Sequence, residues 1–153
     1  MIISNLTCDA PANTMPAIIA GIPGHRVEDI SICDVYIVEK GGGSRTQAVI
    51  VPPEETSDYP EPSLFAPLPA LGLFVRHARS LEVDHFEVGR RMPDARPVVW
   101  LDDVDGADFS RLRVPSGAAG PTFLPNNSRK FHVSNSAPIA DITFGTVGHR
   151  WLR

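Results

Sequence analysis

Three segments share one pattern of hydrophobic and polar positions. In residues 29–38, 80–88 and 107–114, apolar and polar residues alternate, two polar residues follow, and the alternation resumes. Alternation is typical of a short strand with one buried face, because successive side chains point to opposite faces. A helix would need apolar residues three and four positions apart, which fits less well. The positions predicted to face inward are Ile30, Ile32, Val35, Leu81, Val83, Phe86, Val88, Phe109 and Leu112.

The two polar residues in each segment predict a bend, after which the next strand faces the same interior. The same pattern also recurs along the chain. Aligning residues 73–88 with 99–114 at an offset of 26 residues matches nearly every apolar position, and it predicts that Trp100 faces inward. A period in the mid-twenties with about three short strands is typical of a parallel β-helix, in which coils bury their faces only by stacking. We therefore expect one all-β, parallel β-helical unit over residues 1–153. The predicted bend pairs are Cys33–Asp34, Asp84–His85 and Ser110–Arg111.

Two parts of the chain do not follow the repeat. Residues 41–70 are rich in proline, which lacks an amide donor and is excluded from central strands. This insertion is predicted to be a long loop projecting from the wall, where binding groups often lie. Residues 115–153 are predicted to form an irregular C-terminal coil and tail.

Composition narrows the possible functions. The chain is 42% apolar and 21% charged, as expected of one soluble domain with a core. Its formal net charge is −4 and its basic residues are scattered, so we expect no nucleic-acid partner. No apolar run approaches ~18 residues, so we expect no transmembrane helix. Cys8 and Cys33 lack metal-ligand spacing and are too few for a disulfide framework, so two unpaired thiols are predicted.

Residues 20–43, 59–83 and 93–106 carry a family resemblance. They are similar to the C-terminal coils of polygalacturonase-like proteins, which form glycoside hydrolase family 28 within the pectin-lyase-like right-handed β-helix superfamily. The resemblance covers about residues 1–114. It implies a right-handed parallel β-helix and inverting hydrolysis of galacturonoside-type bonds in pectic or other acidic polysaccharide. It implies no cofactor or metal, and a secreted or periplasmic parent protein, although residues 1–15 lack the pattern of a signal segment.

The family's catalytic signatures do not occur in this chain. They are Asn-Thr-Asp, Gly-x-Asp-Asp, Gly-His-Gly and Arg-x-Lys, and the nearest strings are NTM (13–15), PGHR (23–26) and SRK (128–130). No catalytic residue is therefore assigned. We expect the C-terminal part of a longer enzyme, which packs against the remaining N-terminal coils of the same protein. The alternative is a non-catalytic β-helix module for glycan binding or assembly.

Asp102 and Asp103 form a conspicuous carboxylate pair. Inverting glycosidases hold two carboxyl groups ~6.5–9.5 Å apart across the scissile bond. Adjacent strand residues point to opposite faces, so this pair is predicted to form a turn and bond nearby amides rather than to catalyse. A calcium site that also uses Asp105 and Asp108 is a second alternative, although the glycine and terminal glutamate of a calcium loop are missing at their proper spacing.

Arg76 and His77 align with this aspartate pair and directly follow the insertion. We expect them to neighbour Tyr59 and Glu61. Arginine binds carboxylates through two parallel hydrogen bonds, so these four residues are the candidate substrate-binding residues for an acidic polysaccharide. The alternative is a solvated turn pair, or a salt bridge to an aspartate one coil away.

Overall fold

The computed structural model of the chain describes residues 1–10, 12–57, 61–114, 117 and 119–153. The described residues form seven strands and two short 3₁₀ helices, with no α-helix and no helix long and apolar enough to cross a membrane. The protein is therefore all-β. The strands are β1 (Ile2–Ala10), β2 (Ala17–Ala20), β3 (Val27–Glu39), β4 (Leu73–Arg90), β5 (Val99–Ser110), β6 (Phe123–Ser134) and β7 (Ile142–His149), and the 3₁₀ helices are Gln47–Val49 and Pro62–Phe65.

The strands form one mostly parallel sheet in the order β1-β3-β4-β5-β6-β7. β2 and β3 pair with successive parts of β4, so together they make one coil. The predicted register is confirmed, since Phe74 pairs with Trp100 at an offset of 26 residues and Ile30 with Leu81 at an offset of 51. This arrangement is consistent with a β-solenoid-like fold, in which each coil stacks on its neighbour.

The long strands turn corners without leaving the sheet. Each time a strand turns a corner, one of its residues has a positive φ of 45° to 85°. These residues are aligned from coil to coil, so each corner is a column of left-handed residues in the stack. Each predicted bend has such a residue in its second position. Asn, Asp and His tolerate the left-handed region better than most residues, which favours them at these positions. We name the insertion corner (His77, Asp103, Asn127), the middle corner (Asp29, Ser80, Gly106, Lys130) and the distal corner (Asn5, Asp34, His85, Arg111, Asn135).

The main core lies on the inner face of the stacked strands. All nine positions predicted to face inward are buried. Toward the C-terminal coils, four phenylalanines meet across β5, β6 and β7, with ring centroids 4.9 to 6.2 Å apart. Such contacts join each coil to the next, because a single coil cannot bury its apolar face alone. These rings are Phe109, Phe123, Phe131 and Phe144.

A second apolar cluster lies on the outer face, and it corrects two predictions. Trp100 is buried but stacks on Phe74 in this cluster, with ring centroids 5.0 Å apart, rather than facing the main core. The insertion does not simply project from the wall. Its residues Phe65 and Leu68 pack on these two rings from outside, so residues 41–70 cover part of the sheet.

The C-terminal segment also differs from prediction. Residues 115–153, expected to be an irregular coil and tail, contain β6, which continues the parallel stack at an offset of 24 residues, and β7, which pairs with β6 antiparallel. At the other edge, β1 leaves Ile2 and Leu6 exposed, at 78% and 43%. Cys8 and Cys33 are both free thiols, and Cys8 pairs in register with the buried Ile37.

Candidate functional site

The insertion corner brings together more charged side chains than the sequence suggests. It begins where the first straight part of β4 ends at Arg76. Because Arg76 lies two residues after Phe74, it shares the outer face with the Phe74–Trp100 stack. Its guanidinium carbon lies 5.5 Å from the centroid of the Phe74 ring and 5.9 Å from that of Trp100. Only 1% of Arg76 is exposed, so its charge must be balanced by buried partners.

The partners of Arg76 come from the insertion and from the next coil. Its Nη1 donates to the carbonyl oxygen of Pro52 at 2.8 Å and lies 3.3 Å from that of Pro53. Its Nε lies 3.3 Å from Asp102 Oδ2, and its Nη1 lies 3.6 Å from Glu54 Oε1. Arg76 therefore connects three separate stretches of chain, and its position depends on all of them.

His77 lies between two carboxylates. Its Nε2 is 3.0 Å from Glu54 Oε2, and its Nδ1 is 2.8 Å from Asp103 Oδ2. Ionised carboxylates only accept hydrogen bonds, so an imidazolium donates to both, whereas a neutral ring donates to one. Arg26 also donates to Asp103, from the turn that precedes β3. The insertion is thus attached to the wall through His77 as well as through Arg76.

Hydrogen bonds from Arg26 and His77 favour the ionised form of Asp103. Burial acts to raise the pKa of Asp103, but hydrogen bonds from His77 and Arg26 outweigh it, and the pKa lies below its ordinary value. A carboxyl group with a lowered pKa is a poor proton donor near neutral pH, so it does not suit the acid role in glycoside hydrolysis. Asp103 therefore acts as an ion-pair partner at this corner.

The aspartate pair lies at a bend inside β5 rather than in the predicted turn, because Asp103 has a φ of 53° and the strand continues to Ser110. Its side-chain partners differ from the predicted backbone amides. Asp102 accepts from Asn126 Nδ2 at 2.8 Å, and the other contacts of the pair come from the side chains of Arg76, His77 and Arg26. The prediction that adjacent residues point to opposite faces is also wrong at this corner. The left-handed corner residue lets adjacent Arg76 and His77 both reach Glu54.

The structure brings together only two of the four candidate substrate-binding residues. Arg76 and His77 lie side by side and form the predicted salt bridges to the aspartates one coil away. Tyr59 lies outside the described residues. Glu61 is exposed, and its carbonyl oxygen accepts a hydrogen bond from the Leu64 amide. The carboxylate of the insertion that reaches the corner is that of Glu54. It could not be predicted, because no repeat in the insertion indicates its position.

The calcium alternative meets a further difficulty at Asp105. Its Oδ2 accepts from Arg129 Nη2 at 2.7 Å, and Lys130 Nζ lies 3.3 Å from its Oδ1. The hydrogen bond from Arg129 is the main reason that the pKa of Asp105 is well below its ordinary value. This carboxylate is therefore neutralised by protein cations. Within the described ranges, no three His, Cys, Asp or Glu side chains are grouped so that they could hold a metal ion.

Comparison with protein-family models, with curated proteins and with solved structures finds no match to the chain. The coil register and the insertion corner are therefore the observations on which a function can be based.

Proposed function

We propose that the chain forms the C-terminal coils of a right-handed parallel β-helix in a polygalacturonase-like glycoside hydrolase. The parent enzyme would act on pectic or other acidic polysaccharide by inverting hydrolysis, with its catalytic coils upstream of this chain. The resemblance supports this proposal because its three segments contribute β3, β4 and β5, which are neighbours in the sheet. Their order in the sequence is also their order in the stack.

The observation that carries the proposal is the open edge of β1. Leu6 pairs in register with Val35, which pairs with Phe86, and both of these are buried in the core. Leu6 itself is 43% exposed, because no strand of the described residues covers it. One more parallel coil would bury it and satisfy the free backbone groups of β1. This supports stacking of the remaining N-terminal coils on β1.

Within this proposal the insertion has the substrate-binding role. Arg76 and His77 hold it against the wall, since both contact Glu54 and an aspartate of the next coil. The exposed Glu61 would then contact the polysaccharide. Tyr59 stays a candidate from the sequence alone. Arg76 and His77 act by positioning these groups, because Arg76 is too deeply buried to contact a polymer.

The alternative is a non-catalytic module for glycan binding or assembly, and one observation favours it. Asp102 and Asp103 both contact cations at the insertion corner, which leaves neither free to act as an acid or a base. In this alternative the chain would bind an acidic glycan without cleaving it.

The coding sequence upstream of codon 1 tests the proposal directly. An in-frame extension that encodes the Asn-Thr-Asp and Gly-x-Asp-Asp signatures supports the enzyme. A promoter and a ribosome-binding site there favour the module. In parallel, release of reducing ends from polygalacturonate is measured for residues 1–153 and for any extended protein. We expect activity only with the extension, and turnover by the short chain that is lost in Asp102→Asn would contradict the proposal.

A further inference from the structure

A cavity of about 800 Å³ lies beside the C-terminal ends of β4, β5 and β6. It is separate from the insertion corner, and no step of the proposed hydrolysis uses it. Its volume lies in the range of small-molecule sites, ~300–1,000 Å³. Among the described residues that line it, Glu87 is the one acidic side chain, and three are arginines: Arg111, Arg113 and Arg153.

The local backbone explains why Arg113 faces Glu87. The two residues form a parallel bridge beyond the distal corner, where the Arg113 amide donates to the Phe86 carbonyl and the Val88 amide donates to the Arg113 carbonyl. The side chains are thus neighbours, but the Arg113 Nη1 to Glu87 Oε2 distance is 4.0 Å, at the limit of an ion pair. Arg113 is therefore only weakly neutralised.

The polar side chains that line this cavity differ in how fully they are paired. At the distal corner Arg111 binds both carboxylate oxygens of Asp84, and this pairing raises the pKa of Arg111. In contrast, the side chains of Thr122 and Asn135 make no hydrogen bond to any described residue, and Arg153 forms no ion pair with one. Among the described residues, the cavity thus combines the unpaired donors of Thr122 and Asn135 with the loosely paired guanidinium of Arg113.

These groups indicate the chemistry of a ligand. A guanidinium group matches a carboxylate or a phosphate through two parallel hydrogen bonds. The hydroxyl of Thr122 and the amide of Asn135 suit ring hydroxyl groups. Val114 and Pro138 supply apolar surface for the C–H face of a ring. We propose that the cavity binds a sugar carrying an oxyanion, either a carboxylate or a phosphate, with Arg113 as its main anchor.

Isothermal titration calorimetry on the purified 153-residue protein tests this with three probes: glucuronate, glucose 6-phosphate and uncharged glucose. We expect at least one anionic probe to bind about tenfold or more tightly than glucose, since a hydrogen bond to a charged group contributes ~1.5–3 kcal/mol. The tighter of the two anions identifies the oxyanion. Arg113→Gln should weaken that probe about tenfold. The control Arg45→Gln, on the exposed insertion, should leave binding unchanged.

Glu87→Gln provides an independent check, because it removes a competing carboxylate and should leave binding equal or tighter. Amide and side-chain NMR signals of Thr122 and Asn135 should shift on titration of the unaltered protein, so the result does not depend on how a variant folds. Equal binding of glucose and both anions, absence of binding by both anions, or full binding in Arg113→Gln would each overturn the proposal.

Discussion

Glu39 provides a test of the fold through its pH dependence. It is the last residue of β3, only 3% exposed, and its Oε2 has no hydrogen-bond partner among the described residues. Burial raises its pKa from 4.5 to about 7, although the charge of Arg96 and a hydrogen bond with Asn13 act in the opposite direction. A carboxyl group in this position is stabilised in its neutral form.

Proton linkage determines how the raised pKa of Glu39 changes stability with pH. Between pH 4.5 and 7 the folded state holds a proton on Glu39 that the unfolded state has lost, so the free energy of unfolding falls as pH rises. The contribution is fully present below pH 4.5 and is lost above pH 7. The shift from 4.5 to about 7, at ~1.36 kcal/mol per pH unit, corresponds to about 3 kcal/mol.

Glu39→Gln imitates the neutral carboxyl group and removes the titration. We expect the variant and the wild-type protein to have similar stability near pH 4.5, and the variant to be about 3 kcal/mol more stable at pH 8. Urea denaturation at a series of pH values, followed by circular dichroism, measures this difference. Glu82→Gln, at an exposed position of β4, is the matched control and should leave the pH profile unchanged.

Two results would refute this reasoning. If the difference between Glu39→Gln and wild type is the same at pH 4.5 and pH 8, then Glu39 does not titrate with a raised pKa. If Glu39→Gln is instead less stable than wild type at pH 8, and this deficit disappears toward low pH, the carboxylate form is the stabilised one.

Three further predictions address the corner, the core and the thiols. Arg76→Ala should lower the free energy of unfolding by about 3 kcal/mol, measured by urea denaturation, because it removes the buried cation that faces Asp102 and the donor to the Pro52 carbonyl; a loss below ~1 kcal/mol would contradict the buried ion pair. Leu81→Ala should cost ~2–5 kcal/mol in the same assay and Leu6→Ala less than half of that, since only the first opens a core cavity; equal losses would place both in one environment. Cys8 and Cys33 should both react with a thiol reagent without reductant, Cys8 first, whereas a mass without adducts would indicate a disulfide.

The coil register and the distal corner could be predicted because each leaves a trace in the apolar pattern. A two-residue polar gap at Asp84–His85 interrupts the alternation, and the chain must bend for both strands to face one core. The other two corners have similar polar gaps, Arg76–His77 and Arg79–Ser80, but only Ala78 lies between them, so the pattern does not separate one bend from the next. At the middle corner Ser80 and Lys130 are ordinary polar residues, whereas Asp29 and Gly106 suit a left-handed conformation. At the insertion corner, the polar pair Asp102–Asp103 indicates the bend.

The outer face could not be predicted from periodicity. Phe74 and Trp100 lie within continuous apolar runs, LFV and VWL, and such a run does not show which of its side chains point inward. Their burial on the outer face depends on the insertion, whose path is determined by distant contacts such as that between Glu54 and His77. These contacts join residues far apart in sequence that share no repeat, so no local pattern encodes them.

The antiparallel pairing of β7 has a consequence for self-association. Parallel ladders have evenly spaced, slanted hydrogen bonds, whereas antiparallel ladders alternate narrow and wide pairs. The two outermost strands, β1 and β7, therefore run in opposite directions and do not offer the same template. If β1 of one molecule paired with β7 of another in the parallel sense, the coils of the two molecules would run in opposite directions. Head-to-tail pairing of these two edges therefore cannot extend the stack as one continuous parallel β-helix.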